Sequence, residues 1–180
     1  MMIRLFVAID TPSKIKDYLY EIQQAIIKKI NTRETKIKWV AKKNFHQTLK
    51  FIGWVDEANV EEIKDKLKKL EFKKFKARLG SLSAYPTPNN IRVIFVDMIA
   101  PDIFSIHDDI EMLLEGIGKK DTLFSTHLTL GRVKLCRERD QLSEILKSIK
   151  IEPKEFIIAK VKLFQSIPTK EGSIYNEISY

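Results

Sequence analysis

Apolar positions alternate with polar ones, or run together in short bursts, at "IRLFVAI" (3–9), "FHQTLKFI" (45–52), "KARLGSLSAY" (76–85), "RVIFVDMI" (92–99), "THLTLGRV" (126–133), "FIIAKVKLFQSI" (156–167) and "SIYNEISY" (173–180). Side chains alternate across a strand, so these runs predict β-strands. A different period fills the gaps. Ile15, Tyr18, Leu19, Ile22, Ile26 and Ile30 recur at helical spacing after "DTPS", which supplies an N-cap candidate and an early proline. Val60, Ile63, Leu67 and Leu70 make a second stripe opposite a charged face. Ile103, Ile106, Ile110, Leu113 and Leu114 make a third, stopped by Gly116 and Gly118, and Leu142, Ile145, Leu146 and Ile149 a shorter fourth. "YPTPNN" (85–90) reads as a turn between strands, and "PTKEG" (168–172) as the bend of a terminal hairpin.

Strung together, these elements split into two similar halves, and each half holds one strand that begins His-x-Thr-Leu: "HQTLKFIG" from His46 and "HLTLGRV" from His127. Two-lobed internal symmetry follows from element order and motif placement. Runs of neighbouring strands with helices between them predict an α+β fold, antiparallel sheets packed on helices. A single two-lobed domain over 1–180 is expected, with one motif (46–49 and 127–130) per lobe. At 180 residues the chain can bury about 70% of its unfolded surface, enough for that arrangement without staples.

Composition narrows the chemistry. Cys136 is the only cysteine, which excludes an internal disulfide and a thiolate-rich zinc site. Its surroundings, "VKLCRERD", read as a strand end turning into a helix, without a histidine nearby to activate a thiol. No apolar run approaches the roughly 18 residues of a membrane span. "MMIRLFVAID" carries no cleavage site and reads as the first strand of a cytoplasmic protein. A net charge of +8 and a pI near 9.4 suit an anionic partner such as nucleic acid or phosphate. The same abundance of Lys, Glu and Ile suits an ion-paired thermophile surface, so charge alone leaves both open.

On a strand, His46 and Thr48 share one face and Gln47 and Leu49 the other; His127 and Thr129 stand likewise against Leu128 and Leu130. Two such strands brought together would place two imidazoles and two hydroxyls around one cavity. Displacement at phosphorus needs a base for the attacking oxygen and an acid for the leaving oxygen, and imidazole serves either role near neutral pH. Threonine hydroxyls can donate to the non-bridging phosphate oxygens. Such a scheme needs no metal or cofactor, and two histidines without matched Asp, Glu or Cys fall short of a zinc site. No G-x-S-x-G elbow supports a serine hydrolase. His107, in "SIHDDIEML", reads as a surface or capping residue, and Lys50 falls on the His46 face by alternation.

The chain resembles the two-histidine phosphoesterases, and within them the RNA 2′,3′-cyclic phosphodiesterases historically called 2′-5′ RNA ligases. The likeness runs through "RLFVAID", "KWVAKKNFHQTLKFIG", "RVIFVD", "FSTHLTLGRVK" and "LFQSIPTKEGSIYNEISY". It implies a bilobal fold whose two antiparallel sheets line a central cleft, with helices outside. It further implies hydrolysis of an RNA-terminal 2′,3′-cyclic phosphate to the 2′-phosphate, with weak 2′-5′ ligation as the reverse. Carried over by position, His46 is the general acid and His127 the general base. Thr48 and Thr129 hold phosphate, Phe51 meets the nucleotide, and Arg132 contacts phosphate or nucleotide. Expected partners are an RNA bearing a 2′,3′-cyclic phosphate end or a small cyclic nucleotide, with the protein a monomer away from membranes. Two alternatives share the site: a non-catalytic RNA-binding module, and a hydrolase of another cyclic phosphate such as ADP-ribose 1″,2″-cyclic phosphate.

One conflict stands inside this reading. Phe51 and Arg132 each follow their histidine by five residues, and strict alternation turns an odd offset to the opposite face. A β-bulge or a strand end is needed to bring them back.

Overall fold

The computed structural model describes residues 1–87, 90–170 and 172–180. The elements, in chain order, are β1 (Met2–Asp10), α1 (Ser13–Lys29), β2 (Thr35–Trp39), β3 (His46–Asp56), α2 (Val60–Leu67), β4 (Phe75–Thr87), β5 (Asn90–Ile99), α3 (Ile103–Leu113), β6 (His127–Cys136), α4 (Arg139–Ser148), β7 (Glu155–Ile158), β8 (Lys162–Pro168) and β9 (Ser173–Ile178). The four helices sit on the four apolar stripes. Thr11, however, does not cap α1: its hydroxyl donates 2.9 Å to the Phe45 carbonyl, which pins the residue just before His46. Helix α3 ends as expected ahead of Gly116 and Gly118, both at positive φ. None of the described helices is long and apolar enough to cross a membrane.

Two antiparallel sheets form the α+β fold, one in the order β3-β1-β8-β9 and the other β2-β6-β5-β4-β7. Helix α3 packs on β3 of the first sheet with α2 beside it, and α1 and α4 lie against the second. The halves of the chain are exchanged between them. Strand β2, from the first half, edges the second sheet beside β6, and β8 and β9 return from the second half to extend the first.

Strand β2 has no counterpart among the predicted runs, because its lysines and threonine mask a short alternating pattern on a sheet edge. The single run predicted at 156–167 is two strands in different sheets, β7 beside β4 and β8 beside β1. A continuous apolar run does not reveal where a strand changes sheets. The terminal hairpin is present from Pro168 opposite Ser173, and β4 meets β5 as far as Thr87 opposite Asn90. Pro88 and Asn89 of the predicted turn, and Glu171 of the hairpin bend, lie outside the described residues.

The symmetry appears in the register. Asp10 of β1 stands opposite His46 of β3, and Asp97 of β5 opposite His127 of β6. Behind them the core is Leu, Ile and Val from both sheets and all four helices. Among its buried polar members, Gln47 and Lys50 lie on β3 itself, and Gln23 and His107 reach the motif strands from α1 and α3.

Candidate active site

Each motif strand carries a β-bulge at the same place. Opposite β1, Val7 pairs with Lys50 and Ala8 with Thr48, so Leu49 is the extra residue. Opposite β5, Ile94 pairs with Gly131 and Phe95 with Thr129, so Leu130 is the extra one. Leu49 and Lys50 are therefore both buried on the core side, as are Leu130 and Gly131. Alternation restarts one position late. The two sheets then share a cavity of about 390 Å³, and His46, Thr48, Phe51, His127, Thr129 and Arg132 all line it. The six residues expected at the site are thus brought together, and the parity conflict at Phe51 and Arg132 is resolved by the bulges.

At each bulge a side chain from the helix behind donates to the carbonyl of the extra residue. The Leu49 carbonyl accepts from His107 Nδ1 at 2.9 Å, and the Leu130 carbonyl from Gln23 Nε2 at 2.7 Å as well as from the Val40 backbone N–H at 2.9 Å. The geometry of the second bulge also needs glycine. A Cβ on Gly131 would come within 2.7 Å of Ile37 Cγ2 and 2.9 Å of Trp39 Cε3.

His46 Nδ1 lies 2.6 Å from the Asn44 carbonyl, which can only accept, so Nδ1 carries the proton and Nε2 faces Thr48 Oγ1 at 3.1 Å. Phe6 and Tyr175 pack around the ring with centroids 5.1 and 5.2 Å away. This burial pulls the His46 imidazole below its ordinary value, partly offset by the Asn44 carbonyl and the Asp10 carboxylate. His127 is also lowered by desolvation, with Arg132 adding to it and the Ser125 carbonyl, Asp97 and Asp121 opposing. The charge of His127 is among the effects that lower His46.

Gln47, the middle residue of the first motif, joins the two strands. Its buried side chain accepts from the His127 backbone N–H and donates to the Thr48 carbonyl at 2.7 Å and the Ser125 carbonyl at 3.1 Å. A buried group left without its partner costs about 1 to 3 kcal/mol. Gln47→Met, equal in length but without the amide, is therefore expected to lower the unfolding free energy by about 2 to 4 kcal/mol in urea denaturation. Turnover should fall with it, because the spacing of the two histidines is no longer tied.

A model of the family described as LigT like Phosphoesterase matches the chain twice, over residues 9–95 and 96–175. The chain belongs to this family. The double match follows the two copies of the motif, one in each matched segment. Among relatives of this LigT-like chain, a Methanocaldococcus jannaschii protein named RNA 2′,3′-cyclic phosphodiesterase is 34% identical, covering 97% of this chain and 98% of its own. An Aeropyrum pernix protein of the same name is 33% identical, covering 79% of this chain and 84% of its own. Among solved structures, a Thermus thermophilus protein superposes with a TM-score of 0.74 at 23% identity, covering 98% of this chain and 95% of that one. E. coli LigT complexed with 3′-AMP gives 0.76 at 18% identity, covering 99% and 97%.

Two positions of the LigT-like chain depart from the sequence reading. Lys50 does not share the His46 face: it is 2% exposed, and its Nζ binds Glu111 Oε2 of α3 at 2.7 Å. The bulge at Leu49 put it there. His107 is neither a surface residue nor a cap, since it is buried, holds the bulge and stacks on Phe124 with centroids 3.9 Å apart. Sequence reasoning also missed Phe6, Asn44, Ser125 and Tyr175 around the histidines. Phe6 and Tyr175 lay inside predicted strands, but nothing local tells a cavity-facing aromatic from a core one.

Proposed function

We propose that this protein hydrolyses a ribonucleoside 2′,3′-cyclic phosphate at the end of an RNA to the 2′-phosphomonoester. The observation that carries this reading is the facing of two imidazoles and two threonine hydroxyls, from matching positions of two sheets, into one cavity. Relatives named RNA 2′,3′-cyclic phosphodiesterase over nearly the whole chain support the same substrate.

His127 takes a proton from water, the water oxygen bonds to phosphorus, and the bond from phosphorus to O3′ breaks. His46 donates its Nε2 proton to O3′, leaving a 3′-hydroxyl and a 2′-phosphate. Thr48 and Thr129 donate to the non-bridging oxygens, where the transition state carries its charge. Arg132 beside His127 supports the assignment of base, since a neighbouring cation favours neutral imidazole. With a terminal 5′-hydroxyl in place of water as the nucleophile, the same displacement of O3′ forms a 2′-5′ linkage.

Incubation with 2′,3′-cyclic AMP in excess chelator is expected to yield 2′-AMP, identified chromatographically. A 3′-AMP product would overturn the choice of leaving oxygen, and no turnover would overturn the reading.

The pH profile has a direction. Catalysis requires one neutral and one protonated imidazole, so kcat/KM peaks midway between the two free-enzyme pKa values. Both are lowered from 6.5. The peak for 2′,3′-cyclic AMP is therefore expected below pH 6.5, with an alkaline limb falling tenfold per pH unit as the acid loses its proton. An optimum at pH 8 would contradict the assignment.

A further inference from the structure

A second shift of register follows Phe51. Phe6 pairs with Phe51 and Leu5 with Gly53, so Ile52 is the extra residue of another bulge, and Gly53 takes up the turn with φ +87°. Trp54 follows Phe51 by three, an odd offset that would bury it on a regular strand. The bulge turns it back to the side of Phe51. Leu5 and Ile3 point to the core, so their neighbour Arg4, directly across the ladder from Trp54, stands on that same face.

Trp54 lies beyond the residues that line the cavity, yet its face is continuous with Phe51 and Arg4, which do line it. It is 59% exposed and Phe51 56%. Among the described residues, no carboxylate pairs with Arg4. An exposed aromatic plane beside an uncompensated guanidinium is the chemistry that takes a base and its phosphate.

We infer that Trp54 and Arg4 form a second nucleotide subsite, for the residue 5′ to the cyclic end of a single-stranded RNA. This rests on the function proposed above. With the cyclic phosphate between the histidines and the terminal base at Phe51, the strand leaves through its 5′-oxygen along this face. Trp54 stacks the penultimate base, and Arg4 meets the phosphate that joins the two nucleotides. Stacking of this kind is tolerant of base identity, so the subsite selects for chain length and not for sequence. The protein would then prefer an RNA end over a free cyclic nucleotide.

The test compares 2′,3′-cyclic AMP with a short oligoadenylate ending in a 2′,3′-cyclic phosphate. In Trp54→Ala, kcat/KM for the oligoadenylate is expected to fall about 5- to 100-fold while that for cyclic AMP stays within about twofold. Trp54→Phe, which keeps a stacking face, should recover most of the loss. Arg4→Gln should reduce the salt dependence for the oligoadenylate by about one ion. Equal losses on both substrates, or none on either, would overturn the subsite. So would an unchanged oligoadenylate rate accompanied by loss of a wild-type dimer in sedimentation, which would make Trp54 a contact between copies. If the wild-type protein turned over neither substrate, the function itself would fall, and the subsite with it.

Discussion

Replacing His46 or His127 by alanine is expected to lower kcat for 2′,3′-cyclic AMP by about 10² to 10⁴-fold, the usual contribution of a positioned acid or base. That corresponds to roughly 3 to 5 kcal/mol on the barrier. The two losses should not add, because proton removal and proton delivery act in one displacement and the double variant has little left to lose. KM should change far less than kcat, since Thr48, Thr129, Phe51 and Arg132 remain in the cavity. Steady-state kinetics on the two single variants and the double variant measure all of this. Unchanged turnover in either single variant would remove the paired-histidine mechanism, and circular dichroism would show that the fold is intact.

Lys50→Met is expected to destabilise the protein by about 3 to 5 kcal/mol, as removing one partner of a buried pair does. Against a typical total of about 5 to 15 kcal/mol this is a large share. Lys50 Nζ binds Glu111, and the other Glu111 oxygen accepts from the Asp121 backbone N–H at 3.3 Å. The pair therefore ties α3 and the segment that brings Asp121, Phe124 and Ser125 to the cavity onto strand β3. Adding Glu111→Leu to Lys50→Met should restore most of the lost stability, since no uncompensated charge then remains in the core. Urea denaturation of the single and double variants separates this role from attraction of substrate. A cleft-facing lysine would instead show normal stability and a changed salt dependence of KM.

Lys50 also shows where reading a strand from its sequence stops working. Within four residues, alternation holds: His46 and Thr48 face the cavity, Gln47 and Leu49 the core, and the second copy repeats it. One residue later it fails in both copies, because each strand takes an extra residue. Whether a bulge forms there depends on β1 and β5 setting the register. It also depends on donors distant in the chain, His107 to the Leu49 carbonyl and Gln23 with the Val40 N–H to the Leu130 carbonyl. The same holds for Gln47, whose partners His127 and Ser125 belong to the other half.

The four helices, the strands that bear the motifs, the α+β class and the identity of the two His-x-Thr pairs were all determined by local pattern. Each follows from a period of 2.0 or 3.6 residues, which the chain writes into itself. Only the tertiary structure decided that β2 and β8–β9 are exchanged between the sheets, that Lys50 and His107 are buried, and that Phe51 and Arg132 face the cavity with Trp54 on the same side as Phe51. Those outcomes rest on register and on partners far apart in sequence. A single inserted residue reverses every side chain after it, and no local period records the insertion.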